Sequence, residues 1–556
     1  MVNLLKNNKW FLIILAVFIF TRFLGLGQIY HQDEYRWATI VNPVFEESLG
    51  SHPPMNRLAL GLAGRVLGYD NLRVAPFAFS ILNLWLIYLI SFKISGNKKT
   101  AYVASGLFAV NIYSLISNLQ IDIDGALLPF FVLAGYYAYL HLSGREITKK
   151  WLFIFCAAIA GGFLTKLSFL LFVGAIIADQ LIGAYYSKEK AGLKIILQKA
   201  WPWAAGFLAV SGVFYYFYVT RLGVVIEYAV HFQSLNFASR AYFDLAFKLF
   251  KSVVWLSPLL VLPVVYALFQ KELLKKYRFW FLYLFLNFVF YLVLFDFSTL
   301  TIERYFMFMI VPAVLISAEL LSGLLEKRKP RNNFYITVAA IFILISYLIL
   351  SLPHDIIPLN PKEAYVDRIK TLDFSFLIPF TGGSGPSGFY FSALFILLGW
   401  LVAAVSLALV ALKKQKELFL TVFIVIGLGY NILFDGEYLF GYLYGSVDKV
   451  AKETIEYINS EDTVGQVITY YDIGAYYLRL SGKYHSRFYT APKRDYTPKI
   501  ENYRGQYMVV DFPAIDKGGR YWPLIVRCSL VQQFRDKRIE SYVFDCSKID
   551  KTVFLR

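Results

Sequence analysis

Apolar runs of about twenty residues, the length that crosses a hydrocarbon core as a helix, recur along this chain between short polar segments. They fall at about residues 9–27, 72–92, 100–117, 125–143, 151–165, 167–186, 201–219, 251–269, 279–296, 304–324, 334–352, 389–412 and 418–440. The pattern predicts about 13 transmembrane helices. The first run follows Lys6 and Lys9 as a signal peptide would, but no small-x-small cleavage pattern comes after it, so it is read as a retained helix.

Other segments carry weaker periodicities. In the first long connection, residues 28–71, "YRWATIVNPVFEE" places Trp37, Ile40, Val41, Val44 and Phe45 at helical spacing. Pro53 and Pro54 then suit the first turn of a second amphipathic helix. This loop of about 45 residues is long enough to be structured and functional. The connection from Thr220 to Leu249, with His231 and Arg240, reads as interfacial, and the Pro- and Gly-rich stretch from Pro353 to Gly388 as an irregular rim. From about residue 446 the pattern changes: "TVGQVITYY", "QYMVVDF", "LIVRCSLV" and "SYVFDC" read as strands, "SVDKVAKETIEYINS" and "IGAYYLRLSG" as helices. The predicted architecture is a polytopic α-helical membrane domain over 1–445 and a small α/β domain over 446–556.

Composition sharpens this picture. With 58% hydrophobic and only 17% charged residues, the chain is too apolar for an ordinary soluble domain. Its formal net charge of +17 would suggest a nucleic-acid partner in a soluble protein. Here the cations cluster in alternate short loops, such as Lys93, Lys98 and Lys99 or Lys327, Arg328, Lys329 and Arg331, and so report topology. The expected localisation is the cytoplasmic (inner or plasma) membrane, with the N-terminus inside and the C-terminal domain extracytoplasmic.

That topology assigns one side to a set of ionisable residues at helix ends. Asp33 and Glu34 follow the first run, Asp122 and Asp124 the third, Lys166 lies between the fifth and sixth, and Glu303 and Arg304 open the tenth. A charge inside a bilayer costs about 2.5 to 3.5 kcal/mol on insertion scales unless it meets water or a partner. Their accumulation on one face predicts a polar cavity at the outer leaflet. Acids and cations together suit a group transfer that releases an anion. A carboxylate takes the acceptor's hydroxyl proton and cations hold the departing charge.

The order "QDEYRWA", "SHPPM", "SLISNLQIDIDGALLPFF", "GGFLTKLSFLLF" and "ERYFMFMIVPAVLI" covers about the first 330 residues. It resembles the GT-C fold glycosyltransferases that use polyprenyl-phosphate sugars, in the branch of protein O-mannosyltransferases and lipid A aminoarabinose transferases. The resemblance implies a membrane-embedded enzyme that takes a sugar from a polyprenyl phosphate and attaches it, with inversion, to an acceptor outside the cytoplasm. It implies that Asp33 is the general base, supported by Glu34, with Asp124 as a second carboxylate and Asp122 in support. It places Lys166, Arg304 and Tyr305 at the donor phosphate. For each residue a plainer reading stands beside the catalytic one. Asp33 can cap the helix that follows, Asp124 can cap the fourth run, Lys166 can snorkel, and Arg304 can pair with Glu303.

Arg240 is a further candidate near the phosphate. His52 could join Asp33 or Glu34 in holding a divalent ion, as some relatives do, but one His beside carboxylates defines no metal site. Cys528 and Cys546 either pair in an oxidising compartment or stay as buried thiols, and Cys156 belongs to a helix core. The expected partners are a polyprenyl-phosphate-linked sugar donor, a lipid, glycan or protein acceptor and the membrane, with no nucleic acid. The competing class is a transporter or flippase of a lipid-linked sugar. That would place its charges near the bilayer midplane and in repeated halves, and no internal repeat is visible.

Overall fold

The computed structural model describes residues 8–31, 33–47, 53–142, 148–187, 241–294, 303–326, 356–359, 363–380, 388–412, 416–488, 503–513, 515 and 522–548, with isolated positions at 205, 208, 211, 212, 216 and 338. Two compact units divide the chain. One comprises Met1–Leu26, Ile40–Val338 and Ala403–Asn431, and the other Gly27–Thr39, Ala339–Val402 and Ile432–Arg556.

The first unit is helical. Among the described residues of the whole chain, 5 helices are long and apolar enough to cross a membrane, or up to 7 if each of two bent pairs is one span. The protein is therefore an integral membrane protein of several apolar helices. Tyr69–Ser95 and Glu303–Glu326 are straightforward spans. The expected helices over 201–219 and 334–352 lie almost entirely outside the described residues.

Two expected helices are broken. Over 100–117, Lys98–Val110 and Ile112–Leu119 meet at 68°. Over 251–269, Tyr242–Leu256 and Pro258–Ala267 meet at 102°. The second break follows from Ser257, held at φ +71, and from Pro258, which has no amide hydrogen to continue the first helix. Opened backbone groups inside a bilayer must find partners within the protein. Asn111, extended at the first break, accepts from Ser114 N at 3.1 Å, and its amide nitrogen donates to Leu256 O at 3.0 Å and to Asn431 Oδ1 at 3.1 Å. Asn431 in turn donates to Ser257 Oγ at 3.0 Å, so one pair of asparagines serves both breaks. Two fully buried arginines do the same for helix ends: Arg22 donates to Ala109 O and Phe108 O, and Arg73 to Leu119 O at 2.8 Å. A cation against the last carbonyls also meets the negative end of the helix dipole.

The second unit holds both sheets. β1 (Ile357–Pro358), β2 (Phe376–Phe380) and β3 (Phe389–Ser392) form a three-stranded sheet, parallel then antiparallel. With the helix Glu363–Lys370, they correct the expectation of an irregular rim over 353–388. Pro358 lies on the edge strand β1, where proline is tolerated, and every residue of β2 and β3 is buried, an apolar character that the intervening Gly-rich sequence hid.

The larger sheet runs β5-β4-β6-β8-β7, from β4 (Val467–Tyr470), β5 (Tyr484–Phe488), β6 (Gln506–Val510), β7 (Ser529–Asp536) and β8 (Ile539–Asp545). Its first three strands are parallel and β8 and β7 antiparallel. The helix Val447–Ser460, capped by Ser446 Oγ accepting from Lys449 N at 3.2 Å, buries Val447, Val450, Ala451, Ile455 and Ile458 on one stripe. That stripe packs with Val467, Met508, Val510 and Val543 from the sheet. Of the expected strands, "LIVRCSLV" splits into the helix Trp522–Ile525 and the start of β7, and β5 had no clear alternation to announce it. Cys528 and Cys546 form a disulfide, and Cys156 is buried in its helix.

Candidate active site

The acidic turn of the first unit is built by local chemistry. Asp122 is extended and its side chain accepts from Ile123 N, capping a wide π-helical turn, Ile123–Leu127, that runs into the helix Leu128–Leu142. A Cβ on Gly125 would lie 2.2 Å from Ser117 O, so only glycine lets the turn approach the preceding helix. Asn83 anchors the turn by donating to Ala126 O at 2.8 Å. Asp122 and Asp124 are thereby held side by side and are both buried.

Lys166 reaches this turn from the opposite hairpin. It is the extended link after Lys149–Thr165, and a Cβ on Gly162 would sit 2.4 Å from the Phe169 ring. The two glycines of "GGFLTK" let aromatic rings press against the helix end and fix the bend at Lys166. Lys166 Nζ lies 2.7 Å from Asp124 Oδ1 and 2.9 Å from Oδ2, with the Tyr305 ring centroid at 4.8 Å and that of Tyr291 at 5.9 Å. Arg304, on the short 3-10 helix Glu303–Met309, pairs with Asp122, and its Nε stands 3.9 Å from Asp124 Oδ2. The alternative pairing of Arg304 with Glu303 does not form. Glu303 is completely buried and faces Lys248 at 3.2 Å and Lys251 at 3.6 Å, while Tyr113 Oη donates to its carbonyl at 2.5 Å.

Four predicted residues, Asp124, Lys166, Arg304 and Tyr305, thus meet in one place, with Asp122 beside them. Asp124, Arg304 and Tyr305 border a cleft of about 390 Å³, counting space open to solvent, whose wall also includes Ser168, Tyr283, Asn287 and Tyr291. Two cations fixed over acids and flanked by phenol rings can present guanidinium and ammonium hydrogens to an anionic group that enters the cleft.

Asp33 and Glu34 belong to the other unit, in the first turn of the helix Asp33–Val41, which is shorter than the helix expected over "YRWATIVNPVFEE": Asn42 is extended and Pro43–Phe45 form a separate 3-10 turn. Asp33 is partly exposed, with Arg36 one turn on at 3.7 Å. Glu34 is buried, and its Oε2 accepts from His31 N at 3.3 Å, which makes it a local capping group. The second amphipathic helix of this loop forms as Met55–Leu67. His52, His231 and Arg240 lie outside the described residues. Among the described residues, no group of three or more His, Cys, Asp and Glu is placed to hold a metal ion.

Sequence reasoning missed Lys248, Lys251, Tyr283 and Tyr291. The two lysines, three apart in "FKLFKS", are cations within a helix otherwise apolar enough to join a span, which is the signal that could have found them. The tyrosines had none, because aromatic residues crowd every helix of this chain.

In the first unit, broken apolar helices accompany a buried set of paired acids and cations. A family profile described as dolichyl-phosphate-mannose-protein mannosyltransferase matches residues 51–217, the stretch that contains Asp122, Asp124 and Lys166. The fold is shared with ArnT from Cupriavidus metallidurans in its apo state, at 15% identity and TM-score 0.56, over 97% of this chain and 98% of that one. The same protein bound to undecaprenyl phosphate matches at 13% identity and TM-score 0.54, over 96% and 98%. No curated protein matches the sequence. The chain has the GT-C fold, and the resemblance read from its motifs is borne out by the fold and by a glycosyltransferase family match.

Proposed function

We propose that this protein is a glycosyltransferase that moves a sugar from a polyprenyl-phosphate carrier to a lipid, glycan or protein acceptor at the extracytoplasmic face of the cytoplasmic membrane. In this reading residues 1–445 form the transferase domain of about 13 spans, with the N-terminus inside, and 446–556 an extracytoplasmic domain. The observation that carries it is the cluster of Asp122, Asp124, Lys166 and Arg304, of which Asp124 and Arg304 border one cleft, in a chain whose residues 51–217 match a mannosyltransferase profile and whose fold is shared with ArnT. Neither favours the transporter alternative.

The chemistry is an inverting displacement. Asp33 accepts the proton of the acceptor hydroxyl, the acceptor oxygen bonds to the anomeric carbon, and the bond from that carbon to the phosphate oxygen breaks. The electron pair leaves on the carrier phosphate, whose added charge is met by Lys166 and Arg304. Tyr305 orients Lys166 through its ring face. Glu34 holds the Asp33 helix, and Asp124 and Asp122 fix the two cations before the carrier arrives. Arg240 and His52 are proposed as supporting residues of the same site, and no metal is assigned.

Vesicles containing the full chain, a polyprenyl-phosphate sugar and extracted envelope lipids, glycans and proteins provide the test, read by mass spectrometry for a product heavier by one sugar. Sugar transfer is expected with the native protein and not with Lys166→Ala. Movement of the intact sugar lipid across the vesicle, without transfer, would replace this reading by the transporter.

A further inference from the structure

Arg304 and Tyr305 stand on the 3-10 helix Glu303–Met309, which runs directly into the helix Ile310–Glu326. Hydrogen-bond geometry in a 3-10 helix is poorer than in an α-helix, and runs of more than three or four residues are uncommon. The 7 residues held in this form here therefore need support from outside the helix. With three residues per turn, Glu303, Phe306 and Met309 share one face and are buried, whereas Tyr305 and Phe308 share another and border the cleft. Rotating the helix by about a third of a turn would change which side chains meet the cleft.

Glu303 supplies that support from both its side chain and its backbone. Its carboxylate Oε1 lies 3.2 Å from Lys248 Nζ and 3.6 Å from Lys251 Nζ, two lysines one turn apart on the helix Tyr242–Leu256. Its carbonyl accepts from Tyr113 Oη at 2.5 Å, and Tyr113 belongs to the helix Ile112–Leu119. These two helices are halves of the two bent pairs, so one residue ties both broken spans together. The helix Ile112–Leu119 leads on to Asp122, which pairs with Arg304. The contacts close a ring inside the first unit: from Glu303 to Tyr113, along the chain to Asp122, across to Arg304, and back to Glu303 through one peptide bond.

We propose that Glu303 is a positioning residue for the carrier phosphate: tied to Lys248 and Lys251 by its carboxylate and to Tyr113 by its carbonyl, it fixes the rotation of the 3-10 helix and so sets where Arg304 presents its guanidinium. The effect on phosphate binding rests on the function proposed above, whereas the ring of contacts does not. Charge alone predicts the opposite effect. Glu303 is an anion beside two lysines, and removing it would by itself favour an arriving phosphate. A loss of phosphate affinity on removing this negative charge therefore reports displacement of Arg304.

The test uses the full chain in lipid nanodiscs, with undecaprenyl phosphate as the probe. Glu303→Gln combined with Lys251→Met removes one charge of each sign and keeps the net charge. This variant is expected to bind the probe about tenfold more weakly at full stoichiometry, with faster hydrogen exchange over 304–309 and none over 447–460. Arg304→Gln is expected to weaken binding by itself, and the Glu303 and Lys251 changes to add little in that background, because a residue that acts through another is not additive with it. Fully additive losses would show that Glu303 does not act through Arg304, and unchanged or tighter binding in the Glu303→Gln, Lys251→Met variant would reduce Glu303 to a counter-charge; either overturns the proposal. Should that variant fall short of full stoichiometry, Tyr113→Phe, which removes only the bond to the Glu303 carbonyl, takes its place: weaker binding is expected, and native affinity overturns the proposal. A native protein that binds no undecaprenyl phosphate would instead overturn the carrier reading, and this role with it.

Discussion

Lys166 lies across both oxygens of Asp124, at 2.7 and 2.9 Å, while Arg304 pairs with the neighbouring Asp122. Each cation proposed to receive the carrier phosphate is thus already neutralised by an acid. The acids keep two charges from standing alone in an apolar setting. They also mean that an arriving phosphate competes with carboxylates instead of meeting bare cations.

Breaking one member of a buried pair leaves the other uncompensated, at a typical cost of about 3 to 5 kcal/mol. Lys166 retains 21% side-chain exposure, so the lower end applies to Lys166→Ala. Thermal unfolding should show that Lys166→Ala and Asp124→Ala are each destabilised, and that the double variant is less destabilised than their sum, with a coupling of about 1 to 3 kcal/mol. Additive losses would mean that the pair is not formed.

Arg304 addresses two acids at once, which a compact ammonium cannot copy. Arg304→Lys should therefore keep the charge and still lose about tenfold in undecaprenyl phosphate affinity, measured on nanodiscs. Equal affinity would reduce Arg304 to a point charge.

A general base contributes about 10²- to 10⁴-fold to such a reaction. Asp33→Asn should lower transfer within that range and leave carrier binding untouched, because its negative charge is not among those that hold the phosphate. A weakened carrier affinity in this variant would argue for a different role.

Gly125→Ala places a methyl group 2.2 Å from Ser117 O, a backbone atom that cannot step aside cheaply. We expect about 1 to 3 kcal/mol of destabilisation, of the order found for overpacked cores, and loss of carrier binding as the acidic turn shifts. Gly27→Ala, where nothing lies within 4 Å of the added atom, is the control.

The Cys528–Cys546 disulfide closes a short loop beside Ile468, Tyr507 and Phe544. Replacing both cysteines by serine should cost the C-terminal unit about 3 kcal/mol on loop-closure arguments, seen as faster hydrogen exchange in β6 and β8 with the apolar helices unaffected.

Much of this was written in one dimension. Apolar runs of bilayer length identify a membrane protein because hydrocarbon demands helices whose backbone bonds close internally. The stripe on Val447–Ser460 and the alternation in β6 and β8 follow from the 3.6- and 2-residue periods. The ordered motifs around Asp33, Asp124, Lys166 and Arg304 pointed to phosphate-linked sugar chemistry. The breaks at Asn111 and Ser257 escaped notice because hydropathy is blind to a bend, and β1 to β3 because Pro and Gly in the same segment masked their apolar character. Which acid meets which cation was not legible at all: Asp122 with Arg304, Asp124 with Lys166 and Glu303 with Lys248 and Lys251 join positions tens to hundreds apart. Local sequence sets what each segment can become, but a charge chooses its partner across the fold, where burial makes an unpaired choice too costly to persist.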